Sequence, residues 1–288
     1  MTIQTIIRRH LCSITICGAF LSTPPPLCSA AERPQIGAGT LSAGLGFEYA
    51  TGRFGTDIRT DFISVPLTID YRPTEKWDFE LVVPYIWQSN GNTVYGAIMP
   101  LRNQTGVLGP QAAAKRFGAG PAGSSGGASG GLGDVTLSGG YELLTEGDTA
   151  PQVRMTAYLK FPTADRDRGL GTGEFDAGPG LAFDKWFDAV NLFAEGSYIF
   201  QGESDIYATR DYLSYSAGIG RQFTDSLYLS LSGKGATAPA DDAPGLFEGR
   251  ISFNWDFLAK TGLEGYLSRG LTNGTPEYGV SMSLFRHF

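Results

Sequence analysis

Residues Phe247–Trp255 read FEGRISFNW, with Phe247, Ile251, Phe253 and Trp255 on one side of an alternation and Glu248, Arg250, Ser252 and Asn254 on the other. A period of two is the period of a strand, and faces this different need two different environments. A water-soluble sandwich would turn the apolar face to a core. A barrel in an outer membrane would turn it to lipid and the polar face to a lumen.

The same alternation fills the chain from Gly39 onward. LSAGLGFEYA places Leu41, Ala43, Leu45, Phe47 and Tyr49 on one side, ISVPLTIDY places Ile63, Val65, Leu67, Ile69 and Tyr71, and WDFELVVPYIW places Phe79, Leu81, Val83, Tyr85 and Trp87. Further runs make about twelve strands in all, separated by turn residues. The links decide between the soluble and the membrane reading. RPTEK, TEGDTA, DKWFDA, QFTD and LAKT are brief, whereas the alternate links are long: Asn90–Gly131, TADRDRGLGTG, GESDIYATRD, GKGATAPADDAPG and GLTNGTPE. Short turns on one side and long loops on the other are the pattern of a spanning barrel, and an even strand number returns both termini to the periplasmic side. The expected fold is therefore an all-β, transmembrane antiparallel barrel of about twelve strands. Trp77, Trp186 and Trp255 fall beside brief links and Trp87 beside a long one. That placement predicts an aromatic girdle at each interface.

Both ends of the chain agree. EYGVSMSLFRHF puts Tyr278, Val280, Met282, Leu284 and Phe288 on one side and Gly279, Ser281 and Ser283 on the other. A last strand has to pair with the first, because an open edge in hydrocarbon leaves backbone groups unsatisfied. The terminal Phe288 resembles the assembly signal of bacterial outer-membrane proteins. Arg286 departs from that pattern, with Phe285 expected to compensate from the next position. At the other end Arg8 and Arg9, an apolar segment from Leu11 to Leu21 and a small-residue close have the layout of a secretory signal peptide. The expected organisation is a signal peptide over 1–30, cleaved after Ala30 or Ala31, a short periplasmic segment over 31–38, and a barrel over 39–288 with a long external loop at 90–131. Cys28 offers a lipoprotein alternative, but Leu27 stands where a small residue normally precedes a lipidated cysteine.

Composition excludes several function classes. Cys12, Cys17 and Cys28 all precede the expected cleavage point, so the mature chain has no disulfide and no thiolate metal site. A net charge of −7, more negative by two without Arg8 and Arg9, argues against a nucleic-acid partner. GAGPAG matches a dinucleotide fingerprint through Gly118, Gly120 and Gly123, but SSGGASGG follows where a helix is needed. A lipid hydrolase needs a histidine base beside a serine, and the one histidine left after cleavage is His287, read as an interfacial polar residue. No enzyme activity, cofactor or metal is expected. A secretion barrel would need a large upstream passenger. A structural or adhesive barrel without an open pore stays as the alternative, with the long loop as its surface feature.

GLGDV (Gly131–Val135), LKFPTAD (Leu159–Asp165) and LGTGEFD (Leu170–Asp176) occur in this order. They resemble the outer-membrane family of the phenol meta-degradation pathway, with Ala164 where that family usually has glycine. The resemblance implies a Gram-negative outer-membrane barrel that admits small organic compounds. Read from the residues, Asp134, Lys160 and Asp176 point into the lumen near the external rim. Pro162 suits a strand end, and Gly171 and Gly173 suit a tightly turning loop.

The reading is a passive channel for small molecules, with outer-membrane lipid, the barrel assembly machinery and a small solute as partners. Twelve strands predict a narrow lumen, occluded by the 90–131 loop folding inward. Its candidate lining and constriction are Glu48, Glu80, Asp134, Asp176, Glu195, Glu248 and Glu264 against Arg154, Lys160, Lys234 and Arg250. Arg250 is expected to neutralise carboxylates on adjacent strands. The acids in excess predict mild cation preference.

Overall fold

The computed structural model describes residues 38–54, 59–89, 127–205, 207–240 and 243–288. The expected signal peptide, residues 31–37 of the periplasmic segment, the GAGPAG motif and residues 90–126 of the long loop lie outside the described residues.

Thirteen strands follow one another: β1 (Thr40–Gly52), β2 (Thr60–Arg72), β3 (Trp77–Gln88), β4 (Ser129–Leu132), β5 (Val135–Leu144), β6 (Gln152–Phe161), β7 (Asp176–Phe187), β8 (Val190–Gln201), β9 (Tyr212–Thr224), β10 (Leu227–Ala236), β11 (Leu246–Leu258), β12 (Thr261–Gly270) and β13 (Tyr278–His287). Both β4 and β5 pair with β3, so they are two halves of one stave broken at Gly133–Asp134. Across the break the Gly133 amide donates to the Pro84 carbonyl at 2.8 Å. The result is a twelve-stave antiparallel barrel in which each stave pairs with its sequence neighbours and β1 pairs with β13 to close the circle. Closure leaves no edge, which a sheet in lipid requires. Residues 129–131, expected in the long loop, are strand and belong to β4.

Polarity is inverted relative to a soluble core. The outward side chains are large and apolar, Leu45, Phe47, Leu67, Leu231, Ile251 and Leu267 among them, while Ser64, Thr68, Thr136, Ser197, Ser230, Asn254 and Ser281 are buried inside. At two short-turn ends a register shift turns consecutive residues outward, Leu143 with Leu144 and Phe257 with Leu258. A bulge re-aims side chains in this way and widens the apolar belt. Trp77 packs on Tyr141 with ring centroids 4.7 Å apart, and Trp255 on Phe257 at 5.6 Å, forming the girdle at that end.

Two expectations about aromatics are corrected. Trp186 shares the inward face of Asp184 and packs 5.9 Å from the ring of buried Tyr228, so it belongs to the lumen and not to the girdle. Its place follows from strand parity, which outweighs the interfacial preference of indole. Phe285 is also inside, at 1 % exposure, and cannot stand in for Arg286, which faces outward. Phe288 is exposed, and its amide donates to the Leu41 carbonyl at 2.8 Å across the β1–β13 seam.

Candidate functional site

The site is the lumen, and it has two levels. Near the long-loop end, β6 delivers Lys160, the β4–β5 break delivers Asp134, and β7 opens with Asp176. The Lys160 ammonium lies 2.9 Å from Asp176 and 3.6 Å from Asp134, and donates to the Thr172 hydroxyl at 2.9 Å. Asp134 also accepts from the Ala164 amide at 3.1 Å. Lys160 is 1 % exposed. A buried ammonium needs this many partners, because desolvation costs several kcal/mol per ion. The three motifs of the family resemblance thus meet in one ion cluster.

That cluster roots the link over 162–175, whose residues 169–172 turn inward. Asp165 caps a single 3-10 turn, Arg166–Arg168, and Gly169 leaves it in the left-handed region at φ 71°, which a Cβ would disfavour. Leu170 then points into the lumen at 1 % exposure, packed with Ala50, Phe54, Phe62, Ile86 and Ala164. The Gln88 amide donates to the Gly169 carbonyl at 3.3 Å and to the Ser129 hydroxyl at 3.1 Å. Ala164, the departure from the family pattern, supplies a methyl to this apolar nest. A Cβ on Gly171 would lie 2.7 Å from that methyl and 2.7 Å from Asp134, so the close approach requires glycine. The inward-folding part of the link is therefore 169–172, whereas Asp165, Arg166, Asp167, Arg168 and Phe175 are exposed; the expected role of the 90–131 loop rests on residues 90–126, outside those described. On the outer side of the same link Tyr207 donates to the Arg166 carbonyl at 3.1 Å, and burial, with Asp167 nearby, pushes its phenol up.

Lower in the barrel the lumen is ionic. Arg250 donates through Nε to Glu248 at 2.5 Å and stacks 4.1 Å from the Tyr266 ring centroid. Its ion pair is with a carboxylate two residues back on its own strand, not on an adjacent one: residues i and i−2 share a face of a strand. Tyr266 donates in turn to Glu48. Arg154 pairs with Asp78, and Ser138 donates to Glu80 at 3.5 Å. Lys234 stands directly across from Glu248, and Glu195 across from Ser216, which also faces Lys234. Glu264, at 0 % exposure, is enclosed among Asn254 and Ser283 on its neighbours. All the expected lining residues project inward.

Asp70, Asp78, Arg72 and Asp184 also face the lumen and were not in the expected set. Their signal was the same alternation: Asp70 occupies the polar parity of ISVPLTIDY, and Asp78 that of WDFELVV. His287 does meet a serine, with Ser42 Oγ 2.6 Å from its Nδ1. Ser42 is buried directly opposite His287 in the β1–β13 register, so this contact ties the seam.

A closed barrel with apolar exterior and ionic interior defines a membrane-spanning barrel of the outer-membrane type. The chain belongs to the family described as "Putative MetA-pathway of phenol degradation", whose model matches residues 74–261. Among solved structures it is similar to the COG4313 outer membrane channel from Pseudomonas putida F1, with TM-score 0.66 and 16 % identity over 91 % of this chain and 100 % of that one. A weaker likeness, TM-score 0.41 and 13 % identity over 90 % of this chain and 92 % of the other, is to the P. putida toluene transporter TodX. No curated protein matches the chain by sequence.

Proposed function

We propose that this protein is a passive outer-membrane channel for small molecules, with small organic compounds, aromatic ones included, as its solutes. One observation carries the reading: charged side chains line the interior through the whole height of the barrel. Asp70 and Asp78 stand near the short turns, Glu48 and Arg250 at mid-height, and Lys160 near the long loops. Burying ions is costly, and apolar residues of similar volume are often the more stable filling. A barrel that serves only as a wall has no use for that cost; a conduit does. Family membership and the likeness of fold support the same reading.

The chain would be exported by a cleaved signal peptide and placed by the assembly machinery with both termini periplasmic, Phe288 serving as the signal. The described lumenal acids below the rim, Glu48, Asp70, Asp78, Glu80, Asp184, Glu195, Glu248 and Glu264, outnumber the bases Arg72, Arg154, Lys234 and Arg250, which favours cations and neutral solutes over anions. A structural or adhesive barrel is the second reading, favoured by the tight packing of the lumen around Glu264 and Lys160. Two measurements decide: conductance steps in a planar bilayer, and toluene entry into vesicles with a lipopolysaccharide outer leaflet. Inserted protein that is electrically silent and passes no toluene would leave the structural barrel.

A further inference from the structure

The apolar nest at the long-loop end differs from the polar lumen below it. It differs too from the second apolar cluster of Tyr158, Ile199, Tyr212, Ala236 and Leu246, whose members all lie on staves, in drawing on residues of links. Inward positions of the barrel are mainly polar, yet on β1, β2 and β3 they become Ala50, Phe62 and Ile86 at one height. Phe54 joins them at the price of an unusual backbone, φ 49° for a residue with a Cβ, and meets Phe62 edge to face at 5.2 Å and 89°. Left-handed backbone at a bulky residue persists only where the surroundings hold it. The inward apolar surface needs an apolar partner, and that partner, Leu170, comes from a link and not from a stave.

The way Leu170 is held differs from the way the nest is held. Ala50, Phe62 and Ile86 sit on strands hydrogen-bonded on both sides. Leu170 follows a one-turn 3-10 segment and a left-handed glycine, and the Gly169 carbonyl beside it is held to the barrel wall by the 3.3 Å Gln88 contact. The strong anchor, Lys160 to Thr172 and its carboxylates, lies beyond it and would survive its departure. We propose that the nest of Ala50, Phe54, Phe62 and Ile86 is a binding subsite for an apolar solute of single-ring size, and that Leu170 is its built-in competitor. An isobutyl group against two edge-to-face rings occupies the space and contacts a small aromatic ring would use. Solute binding and release of the link from the lumen are then one event. This inference rests on the channel reading above.

The test uses the full chain in lipid, with Cys12, Cys17 and Cys28 changed to serine and a spin label on Asp167→Cys, an exposed position on the link. Toluene should mobilise the label with a saturable midpoint, glycerol should not, and the same label on Asn273→Cys of another loop should stay unmoved. In Leu170→Ala the label should be mobile before toluene is added, and toluene should bind about tenfold tighter, since a site freed of its competitor no longer pays for the occupied fraction. Leu170→Met should behave as the parent does. A label that stays fixed to the solubility limit of toluene, or two labels that move together, overturns the subsite. If vesicles still admit toluene in that case, the channel reading stands without it; if they do not, both fall. The parent titration alone decides even should Leu170→Ala fail to insert.

Discussion

The two levels of the lumen are filled by different physics. Near the long loops the filling includes an apolar side chain on a link, Leu170, with the link tied by the Gln88 and Tyr207 contacts and by the Lys160 cluster. At mid-height it is a mesh of ion pairs on staves, where Arg250, Glu248, Tyr266 and Glu48 restrain one another. A side chain on a stave moves only if the ladder moves, whereas a side chain on a link moves with a few dihedrals. On the proposed reading the upper level yields and the lower one selects.

The harshest way to break that comparison is at the root of the upper level. Lys160→Met strands Asp134 and Asp176 as buried, mutually repelling carboxylates, and should lower stability by about 3–5 kcal/mol. Urea unfolding in lipid vesicles would register it; an unchanged midpoint would mean that the cluster is wetter than its burial indicates. Next comes the barrel's polarity. Ile251→Arg near the middle of β11 should cost about 2–4 kcal/mol, and Ser252→Arg on the lumenal parity far less. Equal losses at these adjacent positions would indicate burial on both faces. Smaller still is Gly171→Ala, whose methyl must displace Ala164 or Asp134 and should cost about 1–3 kcal/mol. Conductance should rise in this variant because the link is pushed from its seat; a stable, unaltered channel would show that the link tolerates the added atom. The subtlest effect belongs to the lower level. Reversal potentials in a KCl gradient should show mild cation preference that fades above ~0.1 M salt, where the Debye length is ~10 Å. Anion preference would mean that the excess of lumenal acids does not face the permeating path.

Much of the lower level was legible in the residues. FEGRISFNW assigns its own faces, and parity alone carries Glu48, Lys234 and Glu264 inward. The errors fall where another tendency competes with parity. Trp186 neighbours Phe187 at a turn, and an indole there suggests an interface although the alternation through Asp184 points it inward. Phe285 is a similar case beside Arg286. The upper level was half legible: the motif residues marked the rim, but nothing in TADRDRGLGTG announces that Leu170 turns inward. An isolated leucine in a link has no period, and its contacts, Phe54, Phe62 and Ile86, are distant in sequence.

The Ser42–His287 contact joins residues 245 apart in the chain. Loop-closure entropy grows only slowly with length, but contacts this remote cannot form early, and topologies rich in them fold slowly. Every other pairing joins staves that are consecutive in the chain. Staves β1 and β13 have to wait for the whole polypeptide, each with a row of backbone donors and acceptors unpaired. Until then the sheet is a template for any other strand it meets. Sealing the barrel thus requires a search between its first and last staves, and a truncation that removes β13 would leave a paired sheet without its closing seam.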